Sequence, residues 1–79
     1  MLARRPNTPP KLQELDRYLG GRMGQCRALK SMSLAQIALL LGCTEAHVRS
    51  LENGALPVSA RELELLARVL DTPLAWFFR

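Results

Sequence analysis

The stretch that decides the fold is residues 33–54, SLAQIALLLGCTEAHVRSLENG, in which two short helical patterns meet at Gly42. Apolar side chains recur on one face of each pattern, at the spacing of an amphipathic helix. Two helices joined by a short turn that contains glycine are typical of a helix-turn-helix unit. The inward-facing residues are Ile37, Ala38 and Leu41 in the first helix and Val48 and Leu51 in the second.

Local signals mark where both helices begin and end. Ser33, with a glutamine three residues later, has the pattern of a capping box, and Thr44 is a hydroxyl cap for the second helix. Gly42 suits the left-handed conformation that ends a helix, and Asn53 with Gly54 is a stop signal. The outward side of the second helix then carries Glu45, Ala46, Arg49 and Ser50.

The chain before residue 33 predicts a flexible basic arm followed by a long helix. Residues 1–8, MLARRPNT, have no apolar periodicity, and Arg4 and Arg5 suit contact with phosphates or a minor groove. Thr8 and the proline after it predict a helix start, and the helix continues to about Lys30. Its apolar stripe consists of Leu12, Leu15, Leu19, Met23 and Cys26.

Gly20 and Gly21 lie inside this helix without breaking the phase of its stripe. Each glycine in a helix interior costs about 1 kcal/mol relative to alanine. A single helix fits the pattern, and a break that separates a short first helix is the alternative. Because the stripe is longer than one small core needs, residues 9–19 are a candidate for packing against a second subunit.

The chain after the unit predicts two further helices. Ser59 and the glutamate three residues later form a second capping box, and Thr72 with Pro73 repeats the pattern of a cap followed by proline. No stretch alternates with the period of a strand. We therefore predict an all-α fold of five helices, with residues 9–79 forming a single domain. The stripe of the fourth helix consists of Leu63, Leu66, Ala67 and Leu70.

Two groups of apolar side chains are candidates for a dimer or partner surface. A helix buried on one side needs only about a third of its circumference apolar. Because Leu41 completes the inward face, we expect one or both of the two leucines before it to be exposed. Aromatic side chains are enriched at interfaces, although filling the domain's own core is their commoner use. The candidate surface residues are Leu39, Leu40, Trp76, Phe77 and Phe78.

Composition and charge restrict the class of protein. A hydrophobic content of 48% in 79 residues suits one compact domain. No apolar run approaches the roughly 20 residues of a membrane span, and no signal-peptide pattern is present, so we expect a cytoplasmic protein with no membrane partner. Residues 1–30 carry seven basic and two acidic side chains, and residues 31–79 carry four basic and five acidic side chains. The basic N-terminal third suits a polyanion.

The residue types present do not predict an enzyme. Cys26 and Cys43 are expected to be free thiols in a reducing compartment, and with the single histidine, His47, they do not form a metal-binding pattern. There is no phosphate loop, dinucleotide fingerprint or pairing of a nucleophile with a base. We therefore expect no catalytic residue, no cofactor and no metal.

Taken together, these motifs resemble the lambda-repressor and Cro-like helix-turn-helix domains, also called the XRE family. The resemblance covers about residues 19–78 and is carried by SLAQIA, by LG before the turn, by VRSLENG and by VSARELELLARVLDTPLAWFF. It implies a compact five-helix lambda-repressor-like domain that binds double-stranded DNA. In such domains the second helix of the unit lies in the major groove and the first crosses the DNA backbone.

The resemblance also implies which side chains contact DNA. Arg49 suits guanine O6 and N7, Glu45 suits a cytosine amino group and Ala46 suits a thymine methyl group. Ser33 and Thr44 are small hydroxyls at helix N-termini, where a phosphate is favoured. The base contacts implied are Glu45, Ala46, Arg49 and Ser50, and the phosphate contacts are Ser33, Thr44, His47 and Asn53.

Three of these side chains have an ordinary structural alternative. Glu45 is a first-turn acid of the kind that the helix dipole favours. Arg49 is long enough to pair with a surface acid instead, and His47 suits a solvent-facing position. The residue types alone leave both interpretations open.

A structural ion pair is implied as well, between Arg27 in the first helix and Glu52 in the ENG motif. We predict that it is partly buried and that it clamps the second helix of the unit to the first helix of the domain. An uncompensated charge is left when one partner of such a pair is removed.

Three departures from the family concern the DNA backbone and the first turn. Leu34 replaces a common glutamine, residues 54–58 carry no basic side chain, and Ser31 replaces a common glycine. The first two weaken the expected contact with phosphates, and the third predicts a different first turn. Our hypothesis is that basic side chains in the N-terminal third compensate, namely Arg4, Arg5, Arg22 and Lys30.

The leading interpretation is a sequence-specific DNA-binding transcriptional regulator. A homodimer on a two-fold symmetric operator is expected, because two base-reading helices about 34 Å apart need two subunits. The alternative is an antitoxin or adaptor that uses the same fold to bind a protein partner. The acidic balance of residues 31–79 and the adjacent Leu39 and Leu40 favour that alternative.

Overall fold

The structure, a computed structural model, describes the backbone of residues 10–79 and the side chains from Glu14 onward. This part of the chain contains no strand, which confirms the all-α prediction. The predicted arm and the start at Thr8 lie outside the described residues. The elements are α1 (Pro10–Leu29), α2 (Leu34–Leu41), α3 (Glu45–Glu52), α4 (Ala60–Val69) and a 3-10 turn (Leu74–Phe78), called the C-terminal turn below.

The core forms where the inward faces of the four α-helices and the C-terminal turn meet. Ile37 and Ala38 of α2 and Val48 and Leu51 of α3 are buried, as predicted, and Leu41 is partly buried against them. None of the helices within residues 10–79 is both long and apolar enough to cross a membrane. The other buried side chains are Leu19, Met23, Cys26, Leu63, Leu66, Leu70 and Phe77.

The apolar stripe of α1 is buried only in its C-terminal half. Leu15 is 43% exposed and Tyr18 is 40% exposed, whereas Leu19 and the stripe residues after it are buried. The side chain of Leu12 lies outside the described residues. Packing of the exposed N-terminal half against a second subunit stays a prediction.

α1 passes through Gly20 and Gly21 as one continuous helix, so the alternative of a break is wrong. Gly20 faces the C-terminal end of α3, where a Cβ would overlap the Leu51 carbonyl oxygen and lie 2.9 Å from the Glu52 carbonyl oxygen. Gly21 faces away, with nothing within 4 Å of such an atom. The missing side chain at Gly20 therefore lets the backbones of α1 and α3 approach closely.

Each α-helix is followed by a residue with left-handed backbone. Gly42 and Gly54 have φ angles of 73° and 80°, and Ser31 and Asp71 have φ angles of 57° and 49°. Both hydrogen bonds of a Schellman motif, 3.0 Å each, close the end of α1. The prediction that serine at position 31 alters the first turn is therefore wrong, because Ser31 adopts the conformation that glycine favours.

Replacing Ser31 by glycine is expected to raise the free energy of unfolding by about 0.5–1 kcal/mol. The left-handed conformation costs an ordinary residue about 1–2 kcal/mol, and the larger backbone entropy of unfolded glycine offsets part of that gain. Urea unfolding measures the difference. Asp71→Gly is the matched comparison, and a smaller gain is expected there because aspartate tolerates this conformation better. An unchanged midpoint for Ser31→Gly would contradict the assignment of strain to Ser31.

The predicted cap at Thr72 is wrong. The Thr72 hydroxyl donates to the Leu70 carbonyl at 2.9 Å and lies 3.3 Å from the Cys26 Sγ atom. Pro73 is the residue at the cap position of the C-terminal turn and makes no side-chain capping bond. Because this last segment is a 3-10 turn, the fold has four α-helices within residues 10–79 where five helices were predicted.

Candidate nucleic-acid interface

The outer face of α3 presents the side chains that the sequence placed there. Glu45, Ala46 and Arg49 are exposed, and Ser50 is partly buried. Neither Glu45 nor Arg49 makes a side-chain hydrogen bond or an ion pair with another described residue. An exposed arginine and glutamate one helical turn apart, with their polar atoms open to solvent, are suited to base edges in a groove.

Hydroxyl caps hold the N-termini of both helices of the unit. The Thr44 hydroxyl accepts a hydrogen bond from the His47 backbone N–H at 3.1 Å. The Ser33 hydroxyl accepts from the Gln36 N–H at 3.1 Å, and the Gln36 side chain accepts from the Ser33 N–H at 2.7 Å, which completes the predicted capping box. Both hydroxyl groups keep their own proton free to donate to a phosphate oxygen.

The imidazole of His47 is bound to α4, an arrangement that was not predicted from the sequence. Its Nε2 atom lies 2.8 Å from Glu62 Oε2, while Glu62 Oε1 accepts from the Ser59 N–H at 2.9 Å in the second capping box. Burial raises the pKa of the Glu62 carboxyl, but the hydrogen bonds from Ser59 and His47 outweigh this and hold the pKa below its ordinary value. No local signal links positions 47 and 62, because the contact depends on how α4 packs.

Asn53 is exposed at the end of α3. Its Oδ1 atom accepts a hydrogen bond from the Ala55 backbone N–H at 2.9 Å. This bond closes the turn and leaves the side-chain NH₂ group as the free donor. Asn53 therefore offers a phosphate the donor end of its amide.

The predicted partners Arg27 and Glu52 are joined by two hydrogen bonds. Arg27 Nε donates to Glu52 Oε2 at 2.8 Å and Nη2 donates to Oε1 at 3.1 Å, with side-chain exposures of 23% and 15%. Arg27 Nη1 also donates to the Met32 carbonyl at 2.9 Å. The hydrogen bond to Glu52 raises the Arg27 pKa against the opposing effect of burial. One guanidinium thus ties α1 to the end of α3 and to the loop before α2.

Two side chains near the C-terminal turn lie in positions that differ from those predicted. Arg22, a candidate for compensating phosphate contacts, lies over the Trp76 ring at 3.5 Å and donates to the Trp76 carbonyl. Phe77, a candidate surface residue, is completely buried. Phe77 therefore belongs to the core, and the C-terminal turn packs against both α1 and α4.

The remaining candidate surface residues are exposed to different degrees. Leu39 is 83% exposed, Leu40 is 46% exposed and Phe78 is 54% exposed, whereas Trp76 is partly buried. Of the other basic side chains proposed for compensation, Lys30 is exposed, and Arg4 and Arg5 lie outside the described residues. The exposure of both leucines agrees with the prediction, and their use as an interface stays a prediction.

Comparison with known proteins identifies the architecture. A helix-turn-helix family model (HTH_3) matches residues 23–77. The clp gene regulator ClgR from C. glutamicum has a similar structure, with a TM-score of 0.77 and 25% sequence identity over 81% of this chain and 83% of that one. The restriction-modification controller protein C.AhdI from Aeromonas hydrophila gives a TM-score of 0.74 and 29% identity over 82% and 97%. No curated protein matches significantly in sequence.

Proposed function

The chain belongs to the helix-turn-helix family of DNA-binding transcriptional regulators, and on that premise we propose that it acts in the cytoplasm as a homodimer on a two-fold symmetric operator. α3 lies in the major groove, with Glu45, Ala46, Arg49 and Ser50 against base edges. Phosphates are contacted by Ser33, Thr44, His47 and Asn53. The observation that carries the proposal is the outer face of α3, whose exposed Arg49 and Glu45 have no partner in the described part of the chain.

The geometry of the unit supports this use of α3. The helix has only eight residues, and an isolated helix of that length is unstable in water. Here the Thr44 cap closes the start of the helix. The close approach at Gly20 and the Arg27–Glu52 pair fix its position relative to α1. A base-reading helix that is already ordered loses little entropy on binding.

Selection of bound duplexes from a random pool tests the proposal. A consensus with two-fold symmetry is the expected result, because each subunit contacts one half-site. The affinity for the selected duplex is expected to fall steeply with salt concentration, as phosphate neutralisation releases counterions. A flat dependence on salt would contradict DNA binding as the function.

Replacing Arg49 by alanine is expected to weaken binding to the selected duplex by about 5- to 150-fold per half-site. This corresponds to the roughly 1–3 kcal/mol that one bidentate contact with guanine contributes. Fluorescence anisotropy at fixed salt measures the change. Arg68→Ala, which removes the same charge from an exposed position at the end of α4, is the control and should have little effect. Equal losses for both variants would show that Arg49 acts only through its charge.

A second candidate function rests on α2. Leu39 is 83% exposed beside Leu40, and two adjacent exposed leucines favour contact with a protein, as in an antitoxin or adaptor. Leu39→Ser separates the two functions. Unchanged duplex affinity with loss of a protein complex is the expected result if this surface serves a protein partner.

A further inference from the structure

The imidazole of His47 has one ring nitrogen engaged and the other free. Nε2 lies 2.8 Å from Glu62 Oε2, and no described group bonds to Nδ1. Among the side-chain nitrogen and oxygen atoms of the described residues, only Arg22 Nε is both buried and without a partner. Nδ1 of His47, in the first turn of α3, is therefore not fully buried, and the side chain as a whole is 36% exposed.

The hydrogen-bond partner of Nε2 determines whether Nδ1 is a donor or an acceptor towards a ligand. An ionised carboxylate only accepts hydrogen bonds, so Nε2 must carry the proton that it shares with Glu62. In the neutral ring the other nitrogen is then an acceptor. A phosphodiester oxygen is also an acceptor, and two acceptors do not form a hydrogen bond. Contact between Nδ1 and phosphate therefore requires a second proton on the ring.

We propose that Glu62 is a positioning residue that holds the His47 ring with its proton on Nε2, so that each subunit takes up one proton from solvent when His47 contacts a DNA phosphate. The inference rests on the proposed DNA-binding function and adds a residue of α4 to it. In the bound state the imidazolium donates through Nε2 to Glu62 and through Nδ1 to the phosphate. The proton returns to solvent when the duplex dissociates.

The ionisable groups around this ring are compatible with such a role. The Glu62 carboxyl pKa is held below its ordinary value, so this carboxylate is ionised across the range in which an imidazole titrates. The Cys43 thiol, in the turn before α3, has its pKa raised by burial and by the charge of Glu62, so it stays neutral there. On α3 itself, the charged side chains of Glu45 and Arg49 lie two residues before and two residues after the ring, and neither bonds to a described residue.

A matched variant is available within the chain. Glu62→Gln removes the charge but keeps the capping box, since the Ser33–Gln36 box at the start of α2 shows that glutamine serves this position. The amide of glutamine either donates or accepts, so it no longer selects one form of the ring. His47→Gln removes the titrating group altogether.

The experiment measures affinity for the selected duplex at pH 6.0 and 8.0 at fixed salt. For the unaltered protein the association constant is expected to fall about tenfold per bound subunit between these pH values. The association constant of His47→Gln should change by less than about twofold between these pH values. The association constant of Glu62→Gln should depend less on pH than that of the unaltered protein. The fall is largest for the unaltered protein because only there must a proton be taken up at every contact.

Each alternative outcome is distinguishable. Equal affinity of the unaltered protein at both pH values overturns the inference alone, as does a wild-type pH profile in either variant. Absence of duplex binding at pH 6.0 overturns the proposed function and this inference with it. Nitrogen NMR of the ring gives an independent readout, since His47 is the single histidine. When the ring is neutral, its proton is expected on Nε2 in the unaltered protein, and both tautomers are expected in Glu62→Gln. A neutral ring protonated on Nδ1 in the unaltered protein overturns the inference.

Discussion

Replacing Gly20 by alanine is expected to lower the free energy of unfolding by about 3 kcal/mol, at the upper end of the range for overpacked positions. The new Cβ would overlap the Leu51 carbonyl oxygen and lie 2.9 Å from the Glu52 carbonyl oxygen. Both obstacles are backbone atoms of α3, so no side-chain rotation relieves the clash. α1 and α3 must move apart, which opens the core between Leu19 and Leu51.

Gly21→Ala is the matched control for this prediction. It lies in the same helix one residue on, is exposed, and has nothing within 4 Å of a new Cβ. Alanine there is expected to raise the free energy of unfolding by about 0.5–1 kcal/mol, because glycine is the poorer helix former. Urea unfolding of both variants measures the two changes in the free energy of unfolding. Similar stabilisation by both alanines would mean that α1 and α3 do not approach as closely as described.

The second large effect concerns the Arg27–Glu52 pair. Glu52→Gln is expected to lower the free energy of unfolding by about 2–3 kcal/mol, somewhat less than the 3–5 kcal/mol of a fully buried pair, because both side chains keep some exposure. The variant keeps the shape of the side chain but leaves the Arg27 guanidinium without a countercharge. It also loosens α3, so duplex affinity is expected to fall with stability.

A double-mutant cycle separates the free energy of the interaction between Arg27 and Glu52 from the other effects of each substitution. Arg27→Met also removes the hydrogen bond to the Met32 carbonyl, so it is expected to cost at least as much as Glu52→Gln. The double variant should lose less than the sum of the single losses, with a coupling of at least about 1 kcal/mol. Arg68→Met, at an exposed position of α4, is the surface control. If Glu52→Gln cost no more than that control, the pair would not be a structural clamp.

The helix-turn-helix unit was predictable because its signals are local. The capping box at Ser33, the cap at Thr44 and the left-handed Gly42 each depend on a few neighbouring residues, and the structure contains all three. The buried faces of α2 and α3 follow from helical periodicity in the same way. The pairing of Arg27 with Glu52 was predictable only through the family resemblance, since 25 residues separate the partners.

The errors concern groups whose environment is set by distant parts of the chain. Thr72 resembles a helix cap in sequence, yet its hydroxyl lies against Leu70 and Cys26 because α1 packs beside it. Arg22 resembles a free surface cation, yet it covers Trp76. Phe77 resembles an interface residue, yet the core encloses it.

By itself the sequence determined the all-α class, most of the helix boundaries and the outward face of α3, because caps, turns and periodicity act between near neighbours. Only the tertiary structure decided that the missing side chain of Gly20 allows the close packing of α1 against α3, and does not merely lower the stability of α1. It also decided that Glu62 of α4 holds the ring of His47. Both depend on which helices meet and how closely, and that is fixed by packing the whole core, which no local pattern specifies.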